Sequence, residues 1–158
     1  MRAFAMIWAV AAALAAGTIV AVASAGGSSP ATTIHLFEHD TSQANVDLGA
    51  AGDSAGDEFV FAGDAFDRKG GTNLGRFVGT FTTASTGPDA EVLAVATFEL
   101  HGGQIAVQGR FAVGPLFAGR RLAFAITGGT SAYRHARGEG SVALLGDMTD
   151  ADFVLRLR

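Results

Sequence analysis

The chain has 158 residues, 49% of them hydrophobic and only 16% charged. That is enough apolar surface for one domain with its own core, and the wrong balance for a disordered chain. The net charge of -4 and the scattered arginines, with no basic run, argue against a nucleic-acid partner. Cysteine is absent, which excludes disulfides, thiol catalysis and anchoring through a lipidated cysteine, and leaves core packing to hold the fold.

Residues 1–25 read as an export signal. Arg2 is their only charge, an alanine-rich apolar run extends from Ala3 to Val22, and Ala23-Ser24-Ala25 supplies the small residues a signal peptidase needs. The expectation is cleavage before Gly26, secretion to the cell envelope or beyond, and no stable membrane insertion afterwards. The run is long enough to span a bilayer, so a retained anchor is the alternative. Residues 26–31 are a Gly/Ser/Pro linker, and residues 32–158 form the single domain.

Strand signals then follow one another. Thr32 to His39 alternates, with Ile34, Leu36, Glu38 and Asp40 on one parity and Phe37 and His39 on the other. Thr41 to Asp57 is polar and without period, and reads as a long loop. Asp57 to Asp67 is a second strand with Phe59 and Phe61 on one face. Gly75 to Ser85 is a third, with Phe77, Gly79 and Phe81 facing one way. Glu91 to Leu100 is a fourth, with Val92, Ala94, Ala96, Phe98 and Leu100 in one apolar row. His101-Gly102-Gly103 closes a hairpin into a fifth, Gln104 to Val113. Gly114-Pro115 and Gly119 bound a loop. Arg120 to Thr127, Glu139 to Leu145 and Asp152 to Arg158 complete eight short strands. Hairpin-length connections imply antiparallel pairing. Eight strands suffice to close a barrel around side chains or one small ligand, and closure removes exposed edges. A two-sheet sandwich fits the pattern as well.

Between Ile126 and Ser141 the alternation stops at Gly128-Gly129, and a polar crossing carries Thr130, Tyr133, Arg134, His135, Arg137 and Glu139. The glycine pair is expected to make a bend. Gly128-Gly129-Thr130 followed by Ala136-Arg137-Gly138 resembles a signature of dirigent proteins, as do His39-Asp40 and Gly75-Arg76-Phe77-Val78-Gly79-Thr80-Phe81. Gln104-Ile105-Ala106-Val107-Gln108-Gly109 and Phe37-Glu38 are similar to patterns of allene oxide cyclases. Both families share one fold, so the resemblance implies an all-β chain with a single eight-stranded antiparallel β-barrel. It also implies homodimers or homotrimers by analogy.

No metal or cofactor is expected. His35 and His39 stand roughly 13 Å apart on one strand and cannot share a zinc. There is no Gly-x-Ser-x-Gly and no phosphate-binding glycine loop. The remaining constellation is acidic. A carboxylate beside Ile34 and Leu36 has its ionised form disfavoured, and can carry a proton near neutral pH. The resemblance implies a catalytic glutamate at Glu38, and a catalytic aspartate at Asp40 with an arginine at Arg137. The expected catalytic set is therefore Glu38, Asp40 and Arg137, with Asp40 held ionised at the barrel mouth by Arg137. Tyr133, Ile34, Leu36, Phe77 and Phe81 are the expected substrate-binding residues, for an apolar small molecule. Three function classes follow: an isomerase or cyclase working by proton transfer, a dirigent-type steering protein without independent catalysis, and a passive ligand-binding or structural barrel.

Overall fold

Alternation at period two dominates the domain, and the strands it produces close on themselves. The computed structural model describes residues 32–146 and 148–158; the expected export signal and linker lie outside the described residues. The strands are β1 (Thr32–Val46), β2 (Glu58–Phe66), β3 (Asn73–Ser85), β4 (Glu91–Leu100), β5 (Gly103–Ala112), β6 (Leu122–Gly129), β7 (Gly138–Leu145) and β8 (Asp150–Leu157). Each pairs antiparallel with the next, and β8 pairs back onto β1, giving a closed eight-stranded barrel in chain order. A sandwich is thereby ruled out.

The inner face is the row the alternation picks out. On β4 and β5 it comprises Val92, Ala94, Ala96, Phe98, Leu100, Ile105, Val107 and Phe111, all buried. β8 adds Ala151, Phe153, Leu155 and Leu157. Aromatic rings are seated by glycines across the strand gap. Phe61 pairs with Gly79 and Phe124 with Gly140, where a Cβ would strike the ring. Small residues on one strand thus make room for large ones on the next.

The two ends differ. One collects the start of β1, the end of β8 and the polar crossing. Here a short 3-10 turn, Ser131–Tyr133, folds under the barrel. Ala132 N–H donates to Gly102 O, and Thr130 N–H to Gln104 O. Above it the fully buried Phe77, Phe98, Ile105 and Leu155 fill the interior. This end is a floor. The other end is a mouth, formed by the β1–β2, β3–β4 and β7–β8 connections and by a five-residue helix, α1 (Val113–Phe117), whose Leu116 is fully buried.

Three expectations need correction. The first strand does not stop at His39: it runs to Val46, through a bulge between Asp40 and Ser42, and its polar half pairs with β2 beyond the end of β8. With neither face covered there, that half has no apolar alternation to reveal it. Val113, expected to end the fifth strand, instead begins α1, which takes up most of the expected Gly114–Gly119 loop. Neither Gly128 nor Gly129 has positive φ; that conformation falls to Ser131 (φ 52) in the same crossing. Gly129 is needed for space, because a Cβ there would press on the backbone of Tyr133 and Gln104.

Candidate functional site

The inward parity of β1 carries a carboxylate into the barrel. Leu36 and Glu38 are both buried, Glu38 with 5% of its surface exposed. Two residues further on, Asp40 sits at the bulge. Its cross-strand partner is Gly63, and a Cβ at Gly63 would strike the His39 carbonyl and approach Asp40 Cα to 2.8 Å. The glycine therefore lets β1 lie close while the bulge turns its course, a common arrangement beside functional sites. The bulge also brings Gln43 back over Asp40: Gln43 Nε2 donates to Asp40 Oδ2 at 2.6 Å and to Met148 O at 3.2 Å. Asp40 Oδ1 is buried and, among the described residues, has no hydrogen-bond partner.

Glu38 and Asp40 line a cavity of about 50 Å³ on the mouth side of the barrel. Its walls are otherwise mainly apolar, among them Phe59, Phe61, Phe81, Phe111, Phe124 and Phe153. Burial pushes the Glu38 carboxyl well above the ordinary glutamate value of 4.5, and the charge of Asp40 adds to the shift. Burial also raises Asp40, opposed by the hydrogen bond from Gln43 and by the nearby His39. Asp150 lines the same cavity but is held low, first by its hydrogen bond from His39 Nδ1 (2.7 Å) and also by Lys69 Nζ (2.9 Å). The arrangement is a buried acid that keeps its proton, a second carboxyl beside it, and an ionised carboxylate tied to His39 and Lys69 on the outer side.

Arg137 takes no part in this group. It precedes Gly138, which pairs with Leu157, the partner of Thr32 at the floor end. Thr32 and Asp40 are eight residues apart on one strand, roughly 26 Å. The Arg137 guanidinium instead donates to Ala136 O at 2.6 Å. The expected ion pair with Asp40 is therefore absent, and Asp40 is raised rather than held ionised by an arginine. Tyr133 also belongs to the floor, where its hydroxyl donates to His101 O at 3.4 Å. Leu36 and Phe77 are core residues and Ile34 packs against that core; none of the three lines the cavity. Of the expected binding residues, Phe81 alone stands on the cavity wall.

Sequence reasoning passed over Gln43, Asp150 and Phe117. Gln43 was lost with the unrecognised half of β1. Asp150 lies at the first residue of β8, just ahead of the apolar alternation. Phe117 had a usable signal: an apolar Leu116-Phe117 pair between glycine turns, more apolar than a surface loop requires. Among the described residues no cluster of side chains has the makings of a metal site.

Comparison with known proteins agrees with this architecture. Residues 37–154 match the family described as allene oxide cyclase barrel like domain. Among solved structures, a pyocyanin demethylase aligns with a TM-score of 0.67 at 22% identity, over 80% of this chain and 100% of its own. AbnU, an exo-specific intermolecular Diels-Alderase, aligns with a TM-score of 0.67 at 12% identity, over 82% of this chain and 98% of its own. A pterocarpan synthase dirigent protein aligns with a TM-score of 0.62 at 19% identity, over 81% and 85%. At these identities the likeness is one of fold. The comparison with curated proteins gives no match.

Proposed function

The chain belongs to the allene oxide cyclase barrel like family, and from that premise we propose that it binds an apolar small molecule in the mouth of the barrel and promotes its isomerisation or cyclisation by proton transfer through Glu38. One observation carries the reading: a carboxyl group buried in an apolar chamber, with its pKa raised and no basic side chain among the described residues that line it. A purely structural barrel gains nothing from that arrangement, since burying an acid costs stability.

The chemistry follows from the protonation state. As a neutral acid, Glu38 donates a hydrogen bond or a proton to a basic oxygen or carbon of the bound molecule. The carboxylate left behind takes a proton from another position of the same molecule. A double bond moves or a ring closes, and the product keeps the mass of the substrate. Asp40, fixed by Gln43, has an oxygen free to accept from Glu38 and so orients its proton. The apolar walls exclude water and set the fold of the substrate, which also covers steering of a reactive intermediate. Names of structural neighbours, a demethylase, a Diels-Alderase and a dirigent protein, support small-molecule chemistry in this barrel. We further propose that residues 1–25 direct export.

The test is to incubate the protein with an extract of small molecules and follow it by mass spectrometry. The expected result is at least one compound whose retention time changes while its mass does not, with one deuterium gained in D2O and no conversion by Glu38→Gln. Equal conversion by Glu38→Gln, or no conversion by the wild type, contradicts the reading.

A further inference from the structure

The chamber beside Glu38 adjoins a larger space. An outer groove of about 510 Å³ lies at the mouth, between the β1–β2 loop, the β3–β4 turn and α1. Phe59, Phe81 and Phe117 line both spaces and form the partition between them.

Two of the three are fixed. Phe59 and Phe81 are cross-strand partners on β2 and β3, with ring centroids 6.2 Å apart and planes 15° from parallel. Both strands are paired on either side. Phe117 is different. It ends the five-residue α1 and is 48% exposed, while α1 is held to the barrel by the buried Leu116 and, at its start, by Val113 N–H donating to Ala90 O. Helix α1 contains Gly114 and is followed by Gly119 at φ +68. The Phe117 ring can swing outward without disturbing a strand.

Size makes that movement necessary. A dry cavity that holds a benzene ring measures about 150 Å³, and the chamber measures about 50 Å³. No ring reaches Glu38 while the partition stands. With Phe117 withdrawn, chamber and groove become one channel within the roughly 300–1,000 Å³ typical of small-molecule sites. Charge then selects what enters. In the chamber Glu38 is held neutral and Asp150 is paired with Lys69, so the selecting charge is that of the groove, lined by Asp47, Asp53, Asp57 and Glu58. Among the described lining residues of either space there is no lysine, arginine or histidine. Asp57 and Asp47 are engaged by backbone N–H groups of their own loop. Asp53 and Glu58 are not part of those loop contacts.

Building on the acid–base reading above, we propose that Phe117 is the entry gate and a specificity residue, and that the substrate is an elongated neutral or cationic molecule of two or three rings' length. Its apolar head reaches Glu38, its polar end stays in the groove, and anions of the same shape are rejected.

Two dyes test this, N-phenyl-1-naphthylamine and 8-anilino-1-naphthalenesulfonate, which share a ring skeleton and differ by one sulfonate. At low salt the neutral dye should bind at least tenfold more tightly. The gap should narrow in an Asp53→Asn/Glu58→Gln double variant. Phe117→Ala should speed association of the neutral dye several-fold, and Phe117→Trp should slow it, with melting temperatures unchanged. Equal affinity for the two dyes, association rates indifferent to residue 117, or no binding of either dye overturns the proposal. The dyes undergo no proton transfer, so a failure of proton-transfer chemistry and a failure of the gate give different patterns.

Discussion

Floor and mouth of this barrel are made by the same eight strands and meet opposite requirements. At the floor, Phe77, Phe98, Ile105 and Leu155 fill the interior completely and a polar crossing closes beneath them. At the mouth, Ala94, Ala96, Gly109 and Ala151 leave the interior short of side-chain volume, and a buried acid faces the gap. Glycine and arginine motifs drew attention to the floor, while the groups able to do chemistry stand at the other end. The difference teaches that a conspicuous polar motif can serve closure. The candidate site is the place where packing is incomplete and an acid is buried, as with Glu38.

If that division holds, variants at the floor cost stability and spare the chamber. Phe98→Ala should have the largest effect, about 3–5 kcal/mol of unfolding free energy, measured by denaturant titration. Gly129→Val should cost about 2–4 kcal/mol, because the new side chain meets backbone that cannot yield. Dye binding by whatever protein remains folded should be near normal in both.

Variants at the mouth should show the reverse. Glu38→Gln removes a buried ionisable group and should raise stability at neutral pH, read as a higher melting point, while abolishing turnover. The sign follows from linkage. The folded-state pKa of Glu38 is raised, so its stability contribution is full below the ordinary value of 4.5 and is lost as pH climbs through the folded value. Asp150 is held low, so its contribution is present above 3.8 and is lost as pH falls through its folded value. Wild-type stability should therefore decline on the alkaline side of 4.5 in a limb that Glu38→Gln flattens, and on the acid side of 3.8 in a limb that Asp150→Asn reduces.

Arg137→Ala should have the smallest effect. Its guanidinium holds one carbonyl at the floor, so a loss of about 0.5–1.5 kcal/mol is expected with dye affinity unchanged. A large fall in affinity would restore the arginine to the site and undo the comparison.

Much of this was legible in the chain. The parity of Ile34, Leu36, Glu38 and Asp40 put Glu38 inside, because a strand that closes a core must turn its aliphatics inward and takes along whatever shares their face. The rows on β4 and β5 were legible for the same reason. Two things were not. The second half of β1, Thr41–Val46, is exposed on both faces, so hydrophobicity says nothing about it, and its bulge is set by pairing with β2 and by the missing Cβ of Gly63. Which end of the barrel a motif occupies was also hidden. Arg137 and Asp40 are both near strand ends, but only the register of β7 with β8 and of β8 with β1 shows that the ends are opposite.

The central claim is that Glu38 waits in the chamber as a neutral acid, and a carboxyl titration tests it most directly. With carbon-13 in the glutamate carboxyls and Glu38→Gln to assign the resonance, NMR across the pH range should show Glu38 titrating well above 4.5. Its signal should move again when N-phenyl-1-naphthylamine fills the mouth. A midpoint at the ordinary glutamate value, with no response to the dye, would contradict the account.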